Sequence, residues 1–136
     1  MASRVAGIAF LKVDSDMFPL RGNLTVSPSG IVRAGIAGQD TVHGFSELPR
    51  VPFIEGDVTL DPRLSTNAIA NLTDVTVTAE LANGHTYVLK DAWNTAAFDL
   101  NAHDGLARIR FEAIQCQEIS PTGTPTVIGQ GQSQIA

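Results

Sequence analysis

The sequence predicts a mainly β protein, a small β-sandwich or partly open barrel with one short α-helix. Several stretches alternate apolar and polar residues at the two-residue period of a half-buried strand, most clearly Ile54–Leu60, Val75–Leu81 and Arg108–Ala113. Turn formers punctuate them at Ser27-Pro28-Ser29-Gly30, Asn83-Gly84 and Asp104-Gly105. Helical spacing is confined to Ser65–Leu72, where Ser65 or Thr66 offers a cap and Ile69 and Leu72 stand three residues apart.

Taken in order, Val5 to Val13 reads as a strand closed by an Asp14-Ser15-Asp16 turn, and a second strand runs from about Phe18 to Val26. Ile31 to Arg33 is a short extended piece. From Ala34 to Pro49 no periodicity is sustained, so residues 34–49 are expected to form an irregular interface loop. Pro49 and Pro52, which cannot donate to a ladder, suit the entry to an edge strand. Beyond them Ile54, Val58 and Leu60 share one face, and Glu55, Asp57 and Thr59 the other.

The segment Asp74–Trp93 is a hairpin whose register the side chains choose. A two-residue turn would set Glu80 against Tyr87 and Thr78 against Leu89, mixing polar and apolar residues on both faces. A three-residue loop Ala82-Asn83-Gly84 with left-handed Gly84 puts Ala79 opposite Tyr87 and Val77 opposite Leu89. That register gathers Tyr87, Leu89 and Trp93 on an apolar face and Asp74, Thr76, Thr78, Glu80, Thr86 and Lys90 on a polar one. Asn94 to Gly105 is turn-rich. Arg108 to Glu118 is the final strand, with Ile109, Phe111 and Ala113 as its apolar stripe. Residues 1–120 then form one β domain. Residues 121–136, rich in Gly and Gln, form a tail expected to gain order from contacts between subunits.

Composition narrows the function. With 9 Lys+Arg against 14 Asp+Glu and a net charge of −5, the chain lacks the basic surface that grips phosphates by counterion release. Only 17% of residues are charged and 43% are hydrophobic, so part of the apolar surface is expected to meet another subunit. The single Cys116 cannot form an intramolecular disulfide, and no Cys or His pair has metal-ligand spacing, so neither metal nor cofactor is expected. The start, MASRVAGIAFLKVD, lacks a cleavage pattern, and no apolar run reaches the roughly 18 residues of a membrane span. A soluble chain made in the cytoplasm, without membrane anchoring, is expected. The Asn-x-Thr triplets at Asn23 and Asn71 then carry no glycan.

No residue pattern announces catalysis. Asp40-x-x-His43 lacks a nucleophile and further ligands, and reads as a loop tied down by its own side chains. His85 and His103 border turns. Gly35 and Gly38 lack the Lys-Ser/Thr of a phosphate loop. Glu55 and Asp57 have no aromatic sugar platform beside them and read as a solvated face. Cys116 reads as an inert buried thiol, and Trp93 as core or subunit interface.

Six segments, in this order and spacing, resemble the tail tube proteins of contractile-tailed bacteriophages of the Mu type: GIAFLKVD, RGNLTVSPSG from Arg21, GQDTVHGF, PRVPFIEGDVTL, TYVLKDAW and GLARIRFEAIQCQEI. The resemblance covers about Ala6 to Glu118. Ser15 and Thr41 stand where the family favours glycine, and the tail after Glu118 is longer than the family's. The resemblance implies a structural virion protein of the phage tail, made in the host bacterial cytoplasm, whose sheet is completed by neighbouring subunits in a hexameric ring. Such rings stack into a hollow tube, with a tail sheath protein outside and the tape-measure protein and transiting DNA inside.

On that reading Glu55, Asp57, Thr59, Asp74, Thr76, Thr78 and Glu80 are expected to line the lumen, where acidic groups repel DNA. Ile36, Val42, Phe45, Leu48, Val127 and Ile128 are expected to make ring-to-ring contacts. The alternatives are the tube of a phage-derived bacteriocin or secretion system and, in a different class, a monomeric β-sandwich binding module.

Overall fold

Turn residues cut the chain into short strands, and the alternation within each strand decides which face turns inward. The computed structural model describes residues 8–62, 65–97, 99–123 and 125–127. The elements are β1 (Phe10–Val13), β2 (Asp16–Phe18), β3 (Leu20–Ser27), β4 (Ile31–Ala37), β5 (Val42–Pro49), β6 (Phe53–Thr59), α1 (Thr66–Ala70), β7 (Val75–Glu80), β8 (Thr86–Asn94), β9 (Leu100–Asn101), β10 (Leu106–Glu112), β11 (Cys116–Ile119) and β12 (Pro125–Val127). The mainly β expectation with one short helix holds.

Ten strands make one antiparallel sheet, ordered β2-β1-β7-β8-β10-β6-β3, with β11 and β12 branching from β8 and β9 pairing β10. Strand β8 is the corner. Its first part pairs β7 and β11, and its last residues, Trp93 and Asn94, pair β10. The bend comes from a bulge: Val77 pairs Leu89 but Val75 pairs Ala92, so β8 carries one extra residue, and Asp91 absorbs it at φ 54°. Both halves of the sheet turn their apolar faces into a single core, with Leu11, Val77, Ala79 and Leu89 from one and Ile54, Val58, Ile109 and Phe111 from the other, all essentially buried.

The hairpin register chosen from parity is the one observed, Ala79 opposite Tyr87 and Val77 opposite Leu89. Its loop closes with the Leu81 N–H donating to the His85 carbonyl, and Gly84 sits at φ +95°. A Cβ there would be strained and would press on Pro121 at 3.0 Å. Gly84→Ala is therefore expected to cost about 1–2 kcal/mol, read as a lowered urea midpoint with unchanged slope. Ser65 caps α1 as expected, its Oγ accepting from the Ala68 N–H at 3.3 Å, and Ile69 anchors the helix to the core.

Several expectations need correction. Residues 34–49 are not irregular. They belong to β4 and β5, a regular hairpin standing as its own two-stranded sheet, with Ile31 opposite Pro49 and Ile36 opposite Gly44. No residue in either strand is buried, so no inward face imposed alternation on the sequence. Strand β6 is not an edge: β10 and β3 flank it, and Pro52, buried ahead of it, accepts a hydrogen bond from the Ala113 N–H. Arg108–Glu118 is two strands, broken at residues 113–115, where the chain leaves β6 and β8's end for the other half of the sheet. The β8 bulge reverses parity, so Ala92 and not Trp93 faces the core, and Trp93 pairs Glu112 on the outer side. Of the strand expected over Val5–Val13, residues 5–7 lie outside the described residues. In the tail, Pro125–Val127 pairs β11 of its own chain, with Val127 opposite Gln117.

Candidate assembly surfaces

The exposed hairpin is the first surface. Strand β4 leaves the domain just after β3, and β5 returns just before β6, so the hairpin springs from the end of the sheet where Ser27 pairs Phe53. Its base is closed by the Arg50 N–H on the Gly30 carbonyl at 2.8 Å, and its middle by Arg33 on Glu47 at 3.1 Å, with Arg33 also over the Phe45 ring at 5.7 Å. Val32, Ile36, Val42, Phe45 and Leu48 are all exposed on it. Three of the apolar residues expected on this segment to contact the next ring, Ile36, Val42 and Phe45, thus lie toward its tip; Leu48 is nearer the base. Val127 is half-exposed on β12, away from the hairpin, and Ile128 lies outside the described residues.

The tip is held by Asp40 and His43, which do meet. A bulge between Ile36 and Ala37's partners leaves His43 as the extra residue, and its Nε2 reaches Asp40 Oδ1 at 2.9 Å. That hydrogen bond is the main cause holding the Asp40 carboxyl below its ordinary range. The ring lies over Gly38, where a Cβ would come within 2.6 Å of Nε2. The pair is a staple for a turn, and no group of three or more metal-ligating side chains gathers among the described residues.

The second surface is the outer face of β6. Glu55, Asp57 and Thr59 point away from the core as expected, but they are not a free acidic face. Strand β10 lies beside β6, with Arg108 paired to Asp57 and Arg110 to Glu55. Arg108 donates to Glu55 at 2.9 Å and to Asp57 at 3.2 Å, and Arg110 approaches Glu55 at 3.6 Å and Glu112 at 3.0 Å. Asn23 donates to the other Asp57 oxygen at 2.7 Å, leaving Asp57 only 8% exposed. Glu55 and then Asp57 raise the Arg108 pKa above its ordinary value. Arg110 also stacks over Phe53, 3.7 Å from the ring centroid. Sequence reasoning set Ile109, Phe111 and Ala113 apart as the apolar stripe of this strand, which leaves Arg108, Arg110 and Glu112 on its other face. It missed that this face abuts the β6 acids, a pairing between residues some fifty positions apart.

The third surface is the outer face of β7, with Thr76, Thr78 and Glu80 half-exposed and Asp74 exposed at the strand's entry at φ 56°. Glu80 meets Lys12 of β1 at 3.5 Å. Strands β7 and β6 lie in different halves of the sheet and share one core, so their outer faces point away from each other. The two sets expected to line one wall are not brought together within a protomer.

Cys116 is fully buried against Leu89. Burial pushes its thiol up to about 11. Two residues along the same strand pair, burial and a 2.8 Å hydrogen bond to Glu118 push Tyr87 up to about 12. Both raised values favour the folded state below the ordinary pKa values of 9.0 and 10.0, and that contribution is lost as pH rises through about 11 and about 12. Cys116 is expected to resist maleimide at pH 8 until the protein is unfolded, and Tyr87→Phe to flatten the fall in stability above pH 10, followed by urea melts across the alkaline range.

Among the described residues, no helix is long and apolar enough to cross a membrane. A model of the family described as phage tail tube protein matches residues 2–118. The Mu-like prophage FluMu tail tube protein of Haemophilus influenzae is 29% identical over 119 residues, covering 88% of this chain and 99% of that one. In fold, the chain is similar to the tube-terminating cap of the anti-feeding prophage, with a TM-score of 0.61 at 10% identity over 82% of this chain and 87% of that one. It is also similar to a chain in the sheath–tube complex of an extracellular contractile injection system, with a TM-score of 0.55 at 11% identity over 82% and 88%. With its hairpin, its solvent-facing strand faces and a family match spanning nearly the whole β domain, this chain belongs to the phage tail tube protein family.

Proposed function

We propose that this chain closes into hexameric rings that stack head-to-tail into the hollow tube of a contractile phage tail. The tube houses the tape-measure protein, conducts DNA during ejection and is wrapped by a sheath. The subunit is made in the host bacterial cytoplasm and ends in the virion tail. The observation that carries this reading is the family match together with a free-standing hairpin. An isolated two-stranded ribbon is marginal in water, and five exposed large apolar residues on it call for a partner surface. Edge strands β2 and β3, at the two ends of the main sheet order, offer unpaired backbone for closing the ring. A contact joining one end of a subunit to the other end of the next does not close along the axis, so it propagates a tube.

For the lumen, the outer face of β7 is the better candidate of the two expected. Its threonines with the compensated Lys12–Glu80 pair offer DNA little to hold. The β6 face carries Arg108 and Arg110 within reach of solvent, and arginine is the residue that grips phosphate bidentately. That face suits a protein partner outside the tube. The likeness in fold to contractile injection systems favours, as a second reading, the same tube without DNA as cargo.

Negative-stain microscopy and sedimentation of the purified protein test the assembly. Rings or tubes, and a mass that grows with concentration, are expected. A monomer at every concentration, with no polymer on adding tail-initiation components, contradicts it.

A further inference from the structure

The pairing register gives the subunit two distinct poles. At one pole Ser27 pairs Phe53, Phe53 pairs Glu112 and Glu112 pairs Trp93, and from this pole the β4–β5 hairpin emerges. At the other pole lie Leu20 opposite Val58, Leu106 opposite Thr59 and Phe10 opposite Glu80, with the Ala82-Asn83-Gly84 turn beyond. The eight residues of β3 run from one pole to the other, roughly 25 Å at the rise of an extended strand.

A cleft of about 440 Å³ opens at the pole away from the hairpin. One wall is the start of β3, with Leu20, Arg21 and Leu24; the other is the chain leading into β1, with Ile8, and the turn after β7, with Leu81 and Asn83. The cleft marks a seam where β3, one end of the main sheet, approaches the region of β1 near its other end without pairing to it. Its apolar side chains include Ile8, 71% exposed. Arg21 donates to Thr59 Oγ1 and to the carbonyls of Asp104 and Gly105, all three of them neutral oxygens.

The hairpin tip complements this cleft in polarity and charge. It presents Val42, 70% exposed, and Ile36 beside an Asp40 carboxylate that is 77% exposed. Apolar residues on the tip match Leu20, Leu24 and Leu81 in the cleft, and Asp40 matches Arg21. We infer that the cleft between β3 and the β7–β8 turn is the socket for the β4–β5 hairpin tip of a second copy of this chain, stacked one ring along the axis. The inference rests on the stacked-ring reading and adds the acceptor site to it. A tip and a socket at opposite poles make a heterologous, open-ended contact, and the tip cannot fold back into the socket of its own chain across the length of β3.

Cross-linking tests it. Gln39→Cys places a thiol on the tip and Ala82→Cys one on the cleft wall, while native Cys116 is buried and silent. Polymer carrying both substitutions is treated with a short bismaleimide and run under denaturing conditions. A ladder of covalent dimers, trimers and longer species is expected, and monomer alone from either single variant. As a guard against impaired assembly, the two single variants are also mixed into an excess of wild-type chain, where a covalent dimer is expected only when both are present. Polymer without cross-links in both formats overturns the socket and leaves the stacked tube standing. An intramolecular cross-link overturns it too. Failure of wild-type chain to polymerise under any condition overturns the stacked-ring reading, and the socket with it.

Discussion

Shortening the hairpin is expected to leave a folded monomer that no longer polymerises. Joining Ala34 to Ser46, which pair across the ribbon, through an Asn-Gly turn removes residues 35–45 and keeps the base of the hairpin intact. None of the deleted residues is buried, so the domain should keep its stability to within about 0.5 kcal/mol. Ile36, Val42 and Phe45 are lost from the proposed contact between rings. Burying side chains of this size is worth about 1.5–3 kcal/mol each, so even about 5 kcal/mol in total weakens association more than a thousandfold. Sedimentation and urea melts read the two effects separately. A shortened protein that polymerises at the wild-type concentration would show that stacking does not use the hairpin.

Reversing the charge of the β6 acids is expected to unfold the protein and not merely to alter its channel. Asp57 accepts from Asn23 and Arg108, and Glu55 from Arg108, with Arg110 beside it. Lysines at both positions would set two ammonium groups against two guanidinium groups and orphan Asn23. The arginines are partly exposed, but Asp57 is 8% exposed, so a lysine there buries an unpaired charge at a cost of about 3 kcal/mol or more, a large share of the 5–15 kcal/mol that holds a domain together. Glu55→Lys with Asp57→Lys should therefore give little soluble folded protein. Asp57→Asn, which keeps the shape and an acceptor oxygen, should fold with a reduced urea midpoint. Exchanging Thr76 and Thr78 for serine on the β7 face should cost less than about 1 kcal/mol, since no comparable network surrounds them. A double-lysine protein with wild-type stability would show that the network contributes nothing.

What the sequence made legible follows from what packs against a core. The β7–β8 register, the Ser65 cap and the Ile109–Phe111–Ala113 stripe were readable because each has one buried face, and a slip by one residue would expose it. The hairpin was not readable as strands, because Ile31–Ala37 and Val42–Pro49 are exposed on both faces and carry no alternation to betray a pairing. Trp93 was misplaced because the bulge at Asp91 shifts parity by one residue, and nothing local in Lys90-Asp91-Ala92 marks it. The ion-pair network was hidden for a different reason. Glu55 and Asp57 are acidic along their own strand, and only the β6–β10 pairing reveals that Arg108 and Arg110 neutralise them. A signal was present, since Arg108 and Arg110 alternate at the same two-residue spacing as Glu55 and Asp57 and carry the opposite charge. The Asp40–His43 staple was legible from spacing alone, but its place at the end of a projecting ribbon was not.

Hydrogen exchange of residues 31–49, measured in the monomer and in the assembled polymer, tests the central claim most directly. In the monomer this two-stranded ribbon is paired to nothing else and should exchange within the fastest class of amides, while β6, β7, β8 and β10 stay protected by the core. In the polymer the same amides should become protected, with the largest gain toward residues 36–44 at the tip. Equal exchange of this segment in both states would contradict the account, because a hairpin that joins one ring to the next cannot remain as open to water as it is in the free subunit.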